Sequence, residues 1–314
     1  MKNNEQLHLV LGGSGAIGQA VIYELLQRNI SVKAVERSKN VKNVETIKAD
    51  LLEFEEAKNA ISGASYVYVC VGLPYSAKVW ETQWPKLIGN VIDACSLTNA
   101  KLIFLDNVYM YGPAPLSIPF DENEKQNPQT KKGKVRKIVA DMILDAHKDN
   151  KIEAVIGRAA DFYGPNTKNS ILYVNFLENI LNNKNPNWLA KLDKEHTYAY
   201  TQDIGKALVE LALDNTTYGE VWHLPAGKKI TIEEILKIIN NELNTNYKIS
   251  YTPGFIINIL SVFIPVLREL KEMLYQFNNT YDMSWDKFHK KFPDFNVTSY
   301  EEGIRDMIKS FKKK

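Results

Sequence analysis

Gly12, Gly15 and Gly18 fall at intervals of three in LVLGGSGAIGQA, directly after a short apolar run. Glycine at this spacing lets backbone N–H groups approach an anion with no side chain in the way. A strand, a tight turn and a helix N-terminus in that order make a pyrophosphate site, because the helix dipole faces the negative charge. Gly12, Ser14, Gly15, Ala16, Ile17 and Gly18 are therefore read as contacts to a dinucleotide. The next apolar run, VKAVERSK, ends in Glu36, Arg37 and Ser38. A carboxylate there accepts hydrogen bonds from the adenosine ribose hydroxyls, which favours NAD, whereas arginine pairs with a 2'-phosphate, which favours NADP. Arg37, Ser38 and Lys39 form a local anion site, and the balance leans to NADP, with NAD left open. Asp50 and Leu51, in KADLLE, are placed where a carboxylate meets the adenine amino group. Val71, Gly72 and Leu73 end another apolar run and are further cofactor contacts. Beyond them Pro74, Tyr75, Trp80 and Trp84 either line the substrate side or pack between helices.

Positioning these groups requires a particular scaffold. Runs rich in valine, isoleucine and tyrosine, LHLVLGG, SVKAVER, YVYVCVG, KLIFLDN and EAVIGRA, read as strands buried on both faces. Segments of helical period separate them: AIGQAVIYELLQRN, FEEAKNAISG, WPKLIGNVIDACSLTN and VRKIVADMILDAHKDN. This alternation implies right-handed crossovers and an α/β fold, a Rossmann-type doubly wound parallel sheet. A sixth strand, EVWHLPAG, arrives near residue 220. The expected division is a nucleotide-binding domain of residues 1–165 and 195–227, with 166–194 and 228–314 forming a smaller, mainly helical substrate-binding part over the carboxyl ends of the strands.

Composition narrows the function classes. The chain has 314 residues, and 39 basic against 37 acidic side chains leave a net charge of +2, which supplies no diffuse basic excess for nucleic acid. Its two cysteines, Cys70 and Cys95, lie in apolar stretches and read as buried thiols of a reducing compartment. The amino terminus is too polar for a secretory signal, and GFIINILSVFIPVL, 254–267, is too short for a membrane span and reads as a buried or pocket-lining helix. A cytoplasmic location with no membrane partner follows as the expectation. His8, His147, His223 and His289 are scattered without metal-ligand spacing, so no metal site is expected.

GGSGAIG, ADLLE, VYMYGP (108–113), GRAADFYGP (157–165) and YAYTQDIGKAL (198–208) occur in an order that resembles the extended and atypical short-chain dehydrogenases/reductases, the NAD-dependent epimerase/dehydratase group. The resemblance implies a catalytic trio: a serine or threonine after the strand KLIFLDN, and a tyrosine four residues before a lysine on the next helix. In such a site the tyrosine exchanges the hydroxyl proton while hydride moves to or from the nicotinamide, and the lysine holds the ribose. Here Asn107 stands in the serine position, Gly133 in the tyrosine position and Lys137 in the lysine position. The ribose-holding cation is kept and the acid/base is missing. Asn107 can hydrogen-bond a substrate oxygen without replacing a tyrosine. Candidates to replace it are Tyr109, Tyr111, Tyr163, Asp106 and Asp161, with Asp161 at a position where the resemblance implies a polar substrate contact.

Lys137, Asn107, Tyr109 and Asp161 are accordingly the candidate catalytic residues, and Tyr75, Trp80, Tyr111, Arg158, Tyr163 and His196 the candidate substrate contacts. Lys131, Lys132, Lys134, Arg136 and Lys137 are read as a solvated loop and first helical turn, one or two of which could meet a phosphate. Asp203 reads as a helix cap, and His196 as a surface or capping residue that could face the ligand. The expected function is an NAD(P)-dependent oxidoreductase or epimerase/dehydratase-like enzyme acting on a small hydroxyl- or carbonyl-bearing, sugar-like molecule. The alternative is a cofactor-binding sensor or scaffold without chemistry. The resemblance also implies a homodimer paired through helices around 82–98 and 134–149.

Overall fold

The computed structural model describes residues 6–113, 115–252 and 265–312. Most of the apolar stretch at 254–267 lies outside the described residues. Strand β1 spans His8–Leu11, followed by helix α1 (Ala16–Gln27), β2 (Val32–Glu36), β3 (Thr46–Lys48), α2 (Phe54–Ile61), β4 (Tyr66–Val69), α3 (Ala77–Thr98) and β5 (Lys101–Asp106). Then come α4 (Lys131–Lys148), β6 (Ala154–Arg158), β7 (Asp161–Tyr163), α5 (Glu178–Leu181), β8 (Asn187–Trp188), β9 (Tyr198–Tyr200), α6 (Thr201–Leu213) and β10 (Val221–His223). The remainder is α7 (Ile232–Leu243), β11 (Ser250–Tyr251), α8 (Pro265–Lys271), α9 (Asp286–Lys291) and α10 (Tyr300–Lys312). No helix among the described residues is long and apolar enough to cross a membrane.

The chain divides into two units. The first comprises residues 1–107, 134–158 and 204–224, and the second 108–133, 159–203 and 225–314. These bounds differ from the sequence-based division at 108–133, 159–165, 195–203 and 225–227.

The first unit is a seven-stranded parallel sheet in the order β10-β6-β5-β4-β1-β2-β3. The strand order reverses direction at β1, which lies between β4 and β2, and such a switch point leaves a crevice at the carboxyl ends of the strands. The six apolar runs form β1, β2, β4, β5, β6 and β10. The seventh strand, β3, escapes a hydropathy reading because its three residues lie at the sheet edge, partly open to water. Helix α3 begins seven residues before the expected segment and continues through Pro85. Cys70 and Cys95 are buried free thiols.

The second unit holds two short parallel strand pairs, β7 with β9 and β8 with β11. Phe176, Trp188, Tyr198, Ile235, Phe277 and Met307 are among the residues of its apolar core. Helix α7 starts in a capping box in which the Thr231 side chain accepts from the Glu234 N–H and Glu234 reaches back to the Thr231 N–H. Asp203 is not a cap: it lies inside α6 and accepts hydrogen bonds from the Thr298 N–H at 2.8 Å and the Thr298 hydroxyl at 2.9 Å.

At the amino end of β1, His8 is buried with Nδ1 3.0 Å from the Tyr68 hydroxyl. Burial lowers its pKa from 6.5 to about 4. Between those values the unfolded chain binds a proton that the folded chain does not, so stability falls as pH falls through this window, by up to about 3 kcal/mol. Urea midpoints measured from pH 7 to 4.5 are expected to drop more steeply for the native protein than for His8→Gln. Equal slopes would show that His8 is not the source.

Candidate functional site

The glycine turn is held by its neighbours on both sides. The Gly12 N–H donates to the Val35 carbonyl at 3.0 Å, and the Cys70 N–H donates to Leu11 at 2.9 Å. Gly12 has a φ of +80°, and a Cβ there would sit 2.8 Å from the Cys70 carbonyl oxygen; a Cβ on Gly18 would sit 2.3 Å from the Gly12 oxygen. Helix α1 begins at Gly15 with no side-chain cap and no acidic residue in its first turn. Its leading N–H groups are thus left to an anion. Glu36, at the carboxyl end of β2, accepts a short hydrogen bond from the Ser14 N–H. Arg37, Ser38 and Lys39 are exposed, and the Lys48 ammonium donates to the carbonyls of Ser38, at 3.0 Å, and Lys39. Asp50 closes a turn, its Oδ1 accepting from the Leu52 N–H at 3.0 Å, while Leu51 is buried. After β4, Val71 and Leu73 are half-buried, and Gly72 is exposed beside open space.

Farther along the same edge, several expectations are corrected. Arg158 does not face ligand. It is buried without exposed surface, and its Nε donates to Asp106 Oδ2 at 3.1 Å. Arg136, taken as solvated, is also buried, and its Nε donates to the other oxygen, Oδ1, at 2.7 Å. The guanidinium also lies over the ring of Trp84 at 4.6 Å. Asp106 is fully consumed as well, since Oδ1 takes the Asn107 N–H at 2.8 Å. Burying two guanidinium groups is tolerable only with such a counter-charge. Trp80 packs rather than lining a substrate wall: it is buried and its indole N–H donates to the Pro74 carbonyl at 3.0 Å. Tyr75 is partly exposed and stands edge-on to Trp80 at 5.7 Å. Asn107 is half-buried, and Lys137 is half-buried with its ammonium 2.7 Å from Asp141.

Within the second unit, the position that the resemblance assigns to tyrosine is sterically closed. Gly133 lies in the first turn of α4, where its N–H donates to the Thr130 hydroxyl at 3.1 Å. A Cβ on Gly133 would be 2.6 Å from the Tyr109 carbonyl oxygen and 2.9 Å from Pro128. Lys132, expected in solvent, is buried with its ammonium on Glu269 and Glu272, the latter at 2.8 Å. These carboxylates offset the unfavourable position of a cation at a helix N-terminus. Tyr109 is half-buried, while Tyr111 and Tyr163 are buried. Burial, with Tyr300 and Asp203 adding, raises the Tyr163 hydroxyl well above its ordinary value. His196, expected at the surface, is buried, and its Nε2 lies 2.9 Å from Asp161 Oδ2.

Sequence reasoning missed three groupings: Asp106 with Arg136 and Arg158, Lys132 with its glutamates, and Asp161 with His196. Only the opposite charges offered a signal, and their separations along the chain give it no direction.

Residues 8–224 match the NAD dependent epimerase/dehydratase family. The chain is 19% identical over 307 residues to dTDP-4-dehydro-6-deoxyglucose reductase of Escherichia coli, covering 90% of this chain and 96% of the reductase. Among solved structures it resembles Thermus thermophilus UDP-glucose 4-epimerase complexed with NAD (17% identity, TM-score 0.79, covering 98% of this chain and 99% of that one). It also resembles dTDP-glucose 4,6-dehydratase of Streptomyces venezuelae with NAD bound (14% identity, TM-score 0.81, covering 98% of this chain and 97% of that one).

Installing a side chain at residue 133 tests the closed position. Gly133→Tyr is expected to lower the unfolding free energy by at least about 1–3 kcal/mol, as overpacking does. An unchanged urea midpoint would show that the turn opens freely.

Proposed function

The chain belongs to the NAD dependent epimerase/dehydratase family, and on that premise we propose that it is an NAD-dependent enzyme of the epimerase, dehydratase or reductase kind acting on a nucleotide-linked sugar. The observation that carries this reading is the glycine turn, with Glu36 fixed beside it on the Ser14 N–H. Gly12, Ser14, Gly15, Ala16, Ile17 and Gly18 would hold the pyrophosphate, Asp50 and Leu51 the adenine side, Val71, Gly72 and Leu73 the far half, and Lys137 the nicotinamide ribose. Bound NAD supplies hydride acceptance and return. Glu36 would accept the adenosine ribose hydroxyls, and its charge would repel a 2'-phosphate. The lean toward NADP read from Arg37, Ser38 and Lys39 gives way here, because these residues are exposed while Glu36 sits against the turn.

Asn107 and Tyr109 are proposed as polar partners of the sugar, with Tyr75 at its rim. The proton cannot be carried by residue 133, where backbone fills the space that a side chain needs. That observation also supports a second reading, a cofactor-binding sensor without turnover. The enzyme reading is preferred because Asp161 presents a partly exposed carboxylate beside an imidazole. A cytoplasmic homodimer is proposed with it; exposed Leu97 and Ile138, on α3 and α4, support a face between copies.

Calorimetric titration of cofactor-stripped protein tests the cofactor half. NAD+ is expected to bind at least tenfold more tightly than NADP+, and Glu36→Ala to erase the difference. Tighter binding of NADP+ would overturn the role of Glu36, and silence with both would overturn the function. A bound cofactor with which neither UDP-glucose nor dTDP-glucose is converted to a new product would favour the sensor.

A further inference from the structure

Resting on the enzyme reading above, we infer that Asp161 and His196 together replace the absent tyrosine, with Asp161 as the proton-exchanging base and His196 as the positioning residue that orients it.

The imidazole of His196 is immobilised. Its backbone N–H donates to Ile230 at 2.9 Å and its carbonyl accepts from Ile230 at 3.0 Å. The ring is stacked on Phe277 at 4.6 Å and on Tyr281 at 5.1 Å, with Tyr198 tilted against it at 4.7 Å. Nε2 lies 2.9 Å from Asp161 Oδ2. The other ring nitrogen, Nδ1, is buried with no hydrogen-bond partner. Burying a polar atom without a partner is unfavourable. The orphan has a chemical consequence. A proton on Nδ1 would find no acceptor, whereas one on Nε2 is donated to Asp161, so the ring proton belongs on Nε2. Asp161 then accepts the Nε2–H on one oxygen, while its side chain keeps 20% exposure.

Position agrees with this assignment. Asp161 follows the end of β6 by three residues, so covalent geometry holds it within about 11 Å of that strand's carboxyl terminus. Ligands in open parallel sheets bind outside those strand ends. In the forward step the substrate O–H bond breaks and its proton passes to Asp161 Oδ1. The C–H bond would break with it, leaving a carbonyl, and bound NAD would supply the hydride acceptor. The reverse step returns both. Epimerisation, dehydration and carbonyl reduction share this exchange.

Two measurements test the pair. In the native protein, 15N spectra of labelled histidine are expected to show a proton on Nε2 of His196; a ring protonated at Nδ1 alone would overturn the assignment. In the second, conversion of UDP-glucose and dTDP-glucose to product is followed by chromatography with NAD+ bound, since a returned hydride leaves no net NADH. Asp161→Asn is expected to lower kcat by about 10²–10⁴-fold with NAD+ affinity unchanged. His196→Leu is expected to lower kcat at least tenfold with KM within threefold, and His196→Gln, which keeps a donor, to restore most of it. An active native enzyme with Asp161→Asn within threefold of it would overturn the pair and leave the function standing. A native protein that converts neither sugar to a new product would overturn the function and the pair with it. Equal losses in His196→Leu and His196→Gln would reduce His196 to a packing role and overturn its positioning of Asp161.

Discussion

Backbone meets backbone where β1 turns into α1, and the arrangement of the nucleotide-binding unit depends on that approach. Gly12 is bonded to β2 through Val35 and lies against the carbonyl of Cys70 after β4, while Gly18 lies against Gly12 itself. No side chain fits at either place. The turn therefore brings the first helix down on the switch point of the sheet and leaves its leading N–H groups uncapped. Uncapped N–H groups and a tightly joined sheet are two results of one steric condition.

A second constraint shapes the beginning of α4. Five cations crowd the end of a helix that electrostatics would fill with acids. The protein resolves this by burying two of them on carboxylates: Arg136 on Asp106 in the first unit, and Lys132 on Glu269 and Glu272 in the second. Gly133 lies between them in sequence and is packed beneath the Tyr109 carbonyl. The missing tyrosine is thus part of a consistent local structure, because the space it would need is occupied by main chain.

Buried polar groups in the second unit divide into satisfied and unsatisfied ones. Asp203 takes both the N–H and the hydroxyl of Thr298 and serves architecture. His196 is held as firmly by its aromatic neighbours, yet one nitrogen is bare and the other engages a carboxylate that reaches solvent. This difference separates a structural polar group from one poised for proton exchange.

The sequence by itself determined the parallel sheet, six of its strands, the glycine turn and the family, because each of these is written in local hydropathy, glycine spacing and motif order. It could not find β3, whose three residues are too few and too exposed for a hydropathy pattern, nor the start of α3 ahead of Pro85. It placed Arg158, Arg136, Trp80 and His196 near ligand or solvent, since charge and aromaticity alone do not report burial. Only the tertiary structure decided that Asp106 neutralises Arg136 and Arg158, that Gly133 admits no side chain, and that Asp161 meets His196. Each of those outcomes is an encounter between residues distant in the chain, and the distance at which they meet is set by packing, which no spacing along a sequence encodes.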